Sequence, residues 1–249
     1  MKIACALLVA SVFLPHVFAA DDHTFDSNGV KIHYVVEGKG EPVVLIHGLF
    51  SSAMMNWQLP GVVVELAKNH QVIALDARGH GASDKPDKEE AYGAEMAEDV
   101  ARLIDHLQIK KAHIVGYSMG GMIAMKFITK HPDRVLSGLL GGMGWLREGG
   151  LLEKVWDHMG SGSSGGAKMA AKTLGKLAVS EAELKAVSVP IEVLVGDRDP
   201  CKALYVAPLQ TVRSDWPVIE IKGAGHMDCI LKPEFKTEIV KWLAKQEKK

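Results

Sequence analysis

The sequence predicts an α/β protein built on a mostly parallel sheet with helices on both faces. Three observations carry this. Short runs such as Pro42-Val43-Val44-Leu45-Ile46-His47 are apolar throughout rather than alternating, as strands covered on both faces must be. Segments with helical spacing lie between them; Met96, Val100, Leu103, Ile104 and Leu107 share one face of 95–108. The strands run out into glycine-rich polar turns, the place where open parallel sheets carry their sites. At 249 residues and 47% hydrophobic, the chain can bury the core of one large domain.

The first segment in order is a leader. Lys2 is followed by an apolar stretch, 3–13, too short to span a bilayer, and Val17-Phe18-Ala19 has small residues at the −3 and −1 positions. This predicts a signal peptide over 1–19, and a secreted or periplasmic product without a stable membrane anchor. Residues 25–37 alternate around Asn28-Gly29 and predict a β-hairpin. A strand over 42–47, a helix over 57–69, a strand over 71–75 and a helix over 95–108 follow. Next come a strand over 112–117, a helix ending at Lys130 before His131-Pro132, and a strand over 135–140. Strands over 190–195 and 218–221 and a helix over 234–246 close the chain. From 144 to 187 the rhythm breaks into three helical segments, 151–159, 167–177 and 180–187. Glycine and serine fill 160–166, and Ser180-Glu181-Ala182-Glu183 forms a capping-box pattern. This predicts a small helical cap over 144–187, inserted into a core made of 20–143 and 188–249.

The charge balance, 29 basic against 30 acidic residues, gives no basic surface for nucleic acid. No metal-ligand cluster or dinucleotide fingerprint stands out, so neither a metal nor another cofactor is expected. Chemistry concentrates at Gly116-Tyr117-Ser118-Met119-Gly120, a G-x-S-x-G between a strand and a helix. That turn lifts a serine hydroxyl above the sheet as a nucleophile. A serine needs a base, and His226 follows the last strand in the loop Gly223-Ala224-Gly225-His226. An imidazole in turn needs a carboxylate to orient it, and the loop after 191–195 offers Asp197 and Asp199.

Five motifs occur in order at strand ends: His47-Gly48-Leu49, the 76–84 segment, the 116–120 elbow, Gly196-Asp197-Arg198-Asp199 and the 223–226 loop. Together they resemble the α/β-hydrolase superfamily over essentially the whole chain after the leader. The resemblance implies the α/β-hydrolase fold and a Ser118, Asp199, His226 triad, because similar hydrolases place the acid in a G-x-x-D arrangement; Asp197 is then a turn residue. It implies an oxyanion hole made by the backbone N–H groups of Leu49 and Met119. His47, Arg78 and His80 brace the loops. Phe50, Met143 and Trp145 are candidates to line an apolar substrate pocket, though core packing alone would also explain each. Similar haloalkane dehalogenases and epoxide hydrolases carry aspartate at the elbow, which Ser118 replaces here. The expected activity is hydrolysis of a small carboxylic ester through an acyl-serine intermediate. A lactonase, a C–C bond hydrolase or a perhydrolase-like enzyme shares the same triad, and a non-catalytic ligand-binding homologue is the remaining alternative. Cys201 and Cys229 flank the acid and histidine loops, so the pair is read either as a disulfide between those loops or as two buried thiols; neither cysteine has metal-site spacing.

Overall fold

The computed structural model describes residues 21–159 and 165–246. The expected leader, its cleavage site and most of the Gly/Ser stretch lie outside the described residues. Eight strands form one sheet: β1 (Asp21–Ser27), β2 (Val30–Glu37), β3 (Glu41–Ile46), β4 (His70–Leu75), β5 (Ala112–Tyr117), β6 (Val135–Gly141), β7 (Ile191–Gly196) and β8 (Val218–Ile221). Their order is β1-β2-β4-β3-β5-β6-β7-β8. β2 pairs antiparallel with β1 and β4, and every other pair is parallel. The β1–β2 turn holds Asn28 and Gly29 at positive φ, with the Gly29 N–H donating to Asp26.

Successive strand residues face opposite sides of the sheet. Val43 and Leu45 pack with α1 (Val62–Leu66) and α8 (Pro233–Gln246), through Val63, Leu66, Phe235 and Trp242. Val44 and Ile46 pack with α2 (Glu95–His106) and α3 (Met119–Lys130), through Val100, Leu103, Ile123 and Phe127. The continuous helix expected over 57–69 is broken. A π-helical turn, Met54–Gln58, precedes α1, and Pro60 with Gly61 at φ 73° separates them. Two further pieces that sequence periodicity did not show, a π-helical turn at Lys202–Val206 and α7 (Ala207–Val212), join β7 to β8.

The segment between β6 and β7 carries α4 (Leu151–Met159), α5 (Gly166–Lys172) and α6 (Glu181–Ala186). Its capping box forms: Ser180 Oγ accepts from the Glu183 N–H at 3.2 Å, and Glu183 Oε2 accepts from the Ser180 N–H at 2.8 Å. Ala170, Leu174 and Leu177 join the same apolar cluster as α3, so this segment is packed onto the body of the protein. No described helix is long and apolar enough to cross a membrane.

One strand carries a stability cost. Glu192, in β7, is 2% exposed, with Lys245 Nζ at 4.0 Å. Burial pushes its carboxyl up to about 7, with the lysine opposing. Above pH 7 the unfolded chain gains from an ionised glutamate that the fold disfavours, costing about 3 kcal/mol. The cost is absent below the unfolded glutamate value, grows as the pH rises, and is complete above about 7, where the folded carboxyl ionises too. Glu192→Gln is therefore expected to raise the urea midpoint at pH 8 and to leave it nearly unchanged near pH 4. Equal shifts at both pH values would contradict this.

Candidate active site

Ser118 lies between β5 and α3, just before the first residue of the helix. Its backbone sits at φ 55°, ψ −117°, a conformation a non-glycine residue adopts only when its surroundings enforce it. Both flanking glycines are forced by close approach. A Cβ at Gly116 would lie 2.1 Å from the Gly120 carbonyl oxygen, and one at Gly120 would lie 2.0 Å from the Ile46 carbonyl oxygen.

The loops after β7 and β8 bring the other two groups to the serine. Ser118 Oγ lies 2.8 Å from His226 Nε2, and His226 Nδ1 lies 2.8 Å from Asp199 Oδ2. The second oxygen of Asp199 accepts from the Cys201 N–H at 2.8 Å, and the side chain is fully buried. An ionised carboxylate only accepts, so Nδ1 carries the ring proton and Nε2 is left to take the serine's. Tyr117, the variable residue of the elbow, was not singled out by the sequence. Its hydroxyl donates to the His226 carbonyl at 2.5 Å and its ring stacks on the imidazole, centroids 5.7 Å apart. Burial pushes the Tyr117 hydroxyl far above its ordinary value, so it stays a donor.

Of the two readings of the cysteine pair, the structure shows free thiols at Cys201 and Cys229. The two loops are joined instead by Arg198 N–H to Ala224 C=O at 3.0 Å, Ala224 N–H to Asp197 Oδ1 at 3.2 Å, and the Arg198 guanidinium to Gly223 C=O. Asp197 thus faces the loop backbone rather than the imidazole. Burial, then the Asp199 charge, pushes the Cys201 thiol up to about 12, and burial pushes Cys229 likewise up to about 12. Neither thiol competes with Ser118 as a nucleophile.

The loop after β3 crosses the elbow: a Cβ on Gly48 would lie 3.4 Å from Ser118 Cβ. Both peptide planes around Gly48 are pinned. His47 Nδ1 donates to the Gly48 C=O at 2.7 Å, and the Gly48 N–H donates to Asn56 Oδ1 at 2.8 Å. In a trans peptide the Leu49 N–H points opposite to the Gly48 C=O, hence away from the His47 ring. Met119 opens α3, where a first-turn N–H has no acceptor within its own helix. Asn56 was missed because the π-helical turn that presents it has no periodic signature. Asn56→Ala would leave the Gly48 N–H without its acceptor and free the loop to shift. The expected result is a drop in kcat of about 10- to 100-fold with little change in KM; an unchanged kcat would remove Asn56 from the positioning set.

His47 is held neutral. Its Nε2 accepts from the Ala77 N–H at 3.0 Å while Nδ1 donates, and burial lowers its pKa. Burial first, then neighbouring His47, brings His80 down to about 4. Asp76 ties this region together, accepting from the N–H groups of Ala53 and Ala82. Burial pushes its carboxyl up, but those donors and the nearby His47 and His33 outweigh it and hold it low. Arg78 makes a bidentate pair with buried Asp99 of α2, at 2.7 and 2.5 Å. These residues brace loops and do not reach the serine.

The proposed lining residues divide. Phe50, at φ 58°, is 67% exposed beside Leu49. Met143 and Trp145 are instead buried in the main apolar cluster, where Trp145 Nε1 donates to Val179 C=O at 2.7 Å and Met143 packs by Gly121. They fasten the segment between β6 and β7 to the rest of the protein rather than present an open surface.

A family model for the alpha/beta hydrolase fold matches residues 41–165, half of the chain. The chain belongs to the α/β-hydrolase fold family. Among curated relatives it is 36% identical over 117 residues to cis-3-alkyl-4-alkyloxetan-2-one decarboxylase of Shewanella oneidensis, covering 45% of this chain and 36% of that protein. It is 35% identical over 136 residues to 2-hydroxymuconate semialdehyde hydrolase of Pseudomonas sp., covering 52% and 47%. The chain therefore spans about a third to a half of the length of these curated relatives. Solved structures agree in fold. A hydrolase from Pseudomonas aeruginosa superposes with TM-score 0.76 at 20% identity, over 90% of this chain and 99% of that one. E-2-(acetamidomethylene)succinate hydrolase superposes with TM-score 0.74 at 22% identity, over 89% and 98%.

Proposed function

We propose that this α/β-hydrolase is a serine hydrolase that cleaves small, neutral carboxylic esters through an acyl-serine intermediate. The observation that carries the reading is the unbroken series Ser118 Oγ, His226, Asp199, with both contacts at 2.8 Å. Nε2 takes the serine proton as Oγ attacks the ester carbonyl, and returns it to the leaving alcohol. Asp199 stabilises the imidazolium formed in between. The N–H groups of Leu49 and Met119 are assigned to the oxyanion, each such donor being worth roughly 3–4 kcal/mol in the transition state. Water, activated by the same imidazole, then releases the acid.

The rim argues for an apolar, uncharged substrate. Phe50 and Met227, each one residue beyond a site residue, are 67% and 83% exposed. The cations of the acid loop are engaged elsewhere, Arg198 with Gly223 C=O and Lys202 with Glu220. Epoxide opening by Ser118 would leave an alkyl ether that this relay cannot hydrolyse, so the serine favours acyl chemistry. The match to 2-hydroxymuconate semialdehyde hydrolase, the longer of the two described above, supports C–C bond hydrolysis as the second reading. A fluorophosphonate should add once, at Ser118, and p-nitrophenyl butyrate should give a burst that Ser118→Ala lacks. Labelling without turnover of any ester, but with cleavage of a vinylogous diketone, would favour the second reading; no labelling would remove both. We also propose, from the leader pattern alone, that the chain is exported and processed after Ala19. An intact Met1 on the exported product would refute that.

A further inference from the structure

We propose that Asp199, Cys201 and His226 form a binding site for a thiophilic divalent cation such as Zn2+, and that the bound ion switches the serine relay off. The three side chains offer one ligand atom each, all within 4.8 Å of one another. Cys201 Sγ lies 3.6 Å from His226 Nδ1, and Asp199 Oδ2 lies 2.8 Å from the same nitrogen. A tetrahedral zinc, with bonds of about 2.05 Å to nitrogen and about 2.3 Å to sulfur, holds those two atoms about 3.6 Å apart. The thiol and the imidazole already stand at that spacing. A tetrahedral ion needs roughly 3.4 Å between the nitrogen and a carboxylate oxygen, so Asp199 must draw back from the 2.8 Å at which it now stands. The cluster lies just beneath the surface: the His226 side chain is 28% exposed and Cys201 half-buried, while the Asp199 side chain is fully buried. Sequence spacing conceals the set: two ligands are two residues apart, and the third follows 25 residues later on another loop.

The consequence for the relay follows from the ring's two nitrogens. In the resting arrangement Nδ1 holds the proton and Nε2 offers its lone pair to Ser118. Coordination uses the Nδ1 lone pair, so the ring proton must sit on Nε2. The thiol proton leaves to solvent as the thiolate binds, driven by the charge of the ion. One proton is released, three bonds from the ion to water are replaced by three to the protein, and no electron is transferred. Nε2–H then donates to Ser118 Oγ and cannot accept its proton. The inhibition rests on the relay proposed above; the binding does not.

The test uses the full chain and two ions. Co2+ should give a thiolate-to-cobalt charge-transfer band saturating at one equivalent in the wild type, in Ser118→Ala and in Cys229→Ala. The band should vanish in Cys201→Ala and in the size-matched Cys201→Ser. Zn2+ should inhibit ester turnover reversibly, with a chelator restoring it. In each Cys201 variant, compared only with itself without metal, the Zn2+ concentration for half-inhibition should rise about 10- to 100-fold or more. Absence of the band, or its survival in both Cys201 variants, overturns the site. A band with no inhibition overturns the switch. A protein that shows the band but hydrolyses no ester upholds the site and removes the function proposed above.

Discussion

Ser118→Ala and His226→Ala are each expected to lower kcat by about a millionfold, with the double variant no worse than either single one. The reason is serial dependence. Once Oγ is gone, the imidazole has no proton to take; without the imidazole, Oγ stays a neutral hydroxyl. Residual turnover then comes from binding and the oxyanion donors alone. Asp199→Asn is expected to cost about 10⁴-fold, for a reason visible in the local hydrogen bonds. One Asp199 oxygen accepts from the Cys201 N–H, so an asparagine would keep its oxygen there and turn its amide donors toward Nδ1. The ring would then carry its proton on Nε2, the wrong side for a base. Asp197→Asn retains an oxygen for the Ala224 N–H and lies at the surface, so it should change stability by no more than about 0.5 kcal/mol and leave kcat near wild type. Initial-rate measurements with p-nitrophenyl butyrate decide the matter. Multiplicative losses in the double variant, or a larger effect at Asp197 than at Asp199, would sink the assignment.

What could be read from the chain and what could not separate along one physical line. Strands buried on both faces write their burial into uninterrupted apolar runs, so the parallel core strands were legible, as were the helices with a clear apolar stripe such as α2. The residues at the strand ends were legible because their chemistry is local: a tight turn around Ser118, a glycine-rich loop before His226. The break between the Met54–Gln58 turn and α1 was not, since a π-helical turn advances by an irregular step and Pro60-Gly61 reads as a mere interruption. Asn56 and Tyr117 were hidden for a related reason. Their roles lie in single hydrogen bonds to distant backbone groups, the Gly48 N–H and the His226 carbonyl, which no pattern in sequence marks. The cysteine pair left a disulfide and two thiols equally open, because the two loops are neighbours in either case. Hydrogen bonds from Asp197 and Arg198 join them, and a disulfide does not.

Gly120→Ala is expected to be strongly destabilising, by on the order of 4–5 kcal/mol. The added Cβ would lie 2.0 Å from the Ile46 carbonyl oxygen and 2.8 Å from that of His47. Both are backbone atoms at the end of β3, a central strand paired on both sides, so no rotamer change relieves the contact. Relief requires moving α3 away from the sheet, and α3 buries Ile123, Phe127 and Ile128 there. For a chain of this size such a loss lowers Tm by about 10–20 °C. Gly29→Ala is the informative contrast: its added Cβ meets nothing within 4 Å, although φ is 79°. It should cost only about 1–2 kcal/mol, the penalty of a left-handed alanine. Thermal unfolding of the two variants measures the difference directly; equal melting temperatures would mean that α3 has room to yield. The same close approach sets the chemistry. Only a glycine lets the start of α3 come this close to the end of β3, which is the approach that the oxyanion site proposed for the Met119 and Leu49 N–H groups requires. Any Gly120→Ala protein that survives purification should therefore lose kcat beyond what its folded fraction explains.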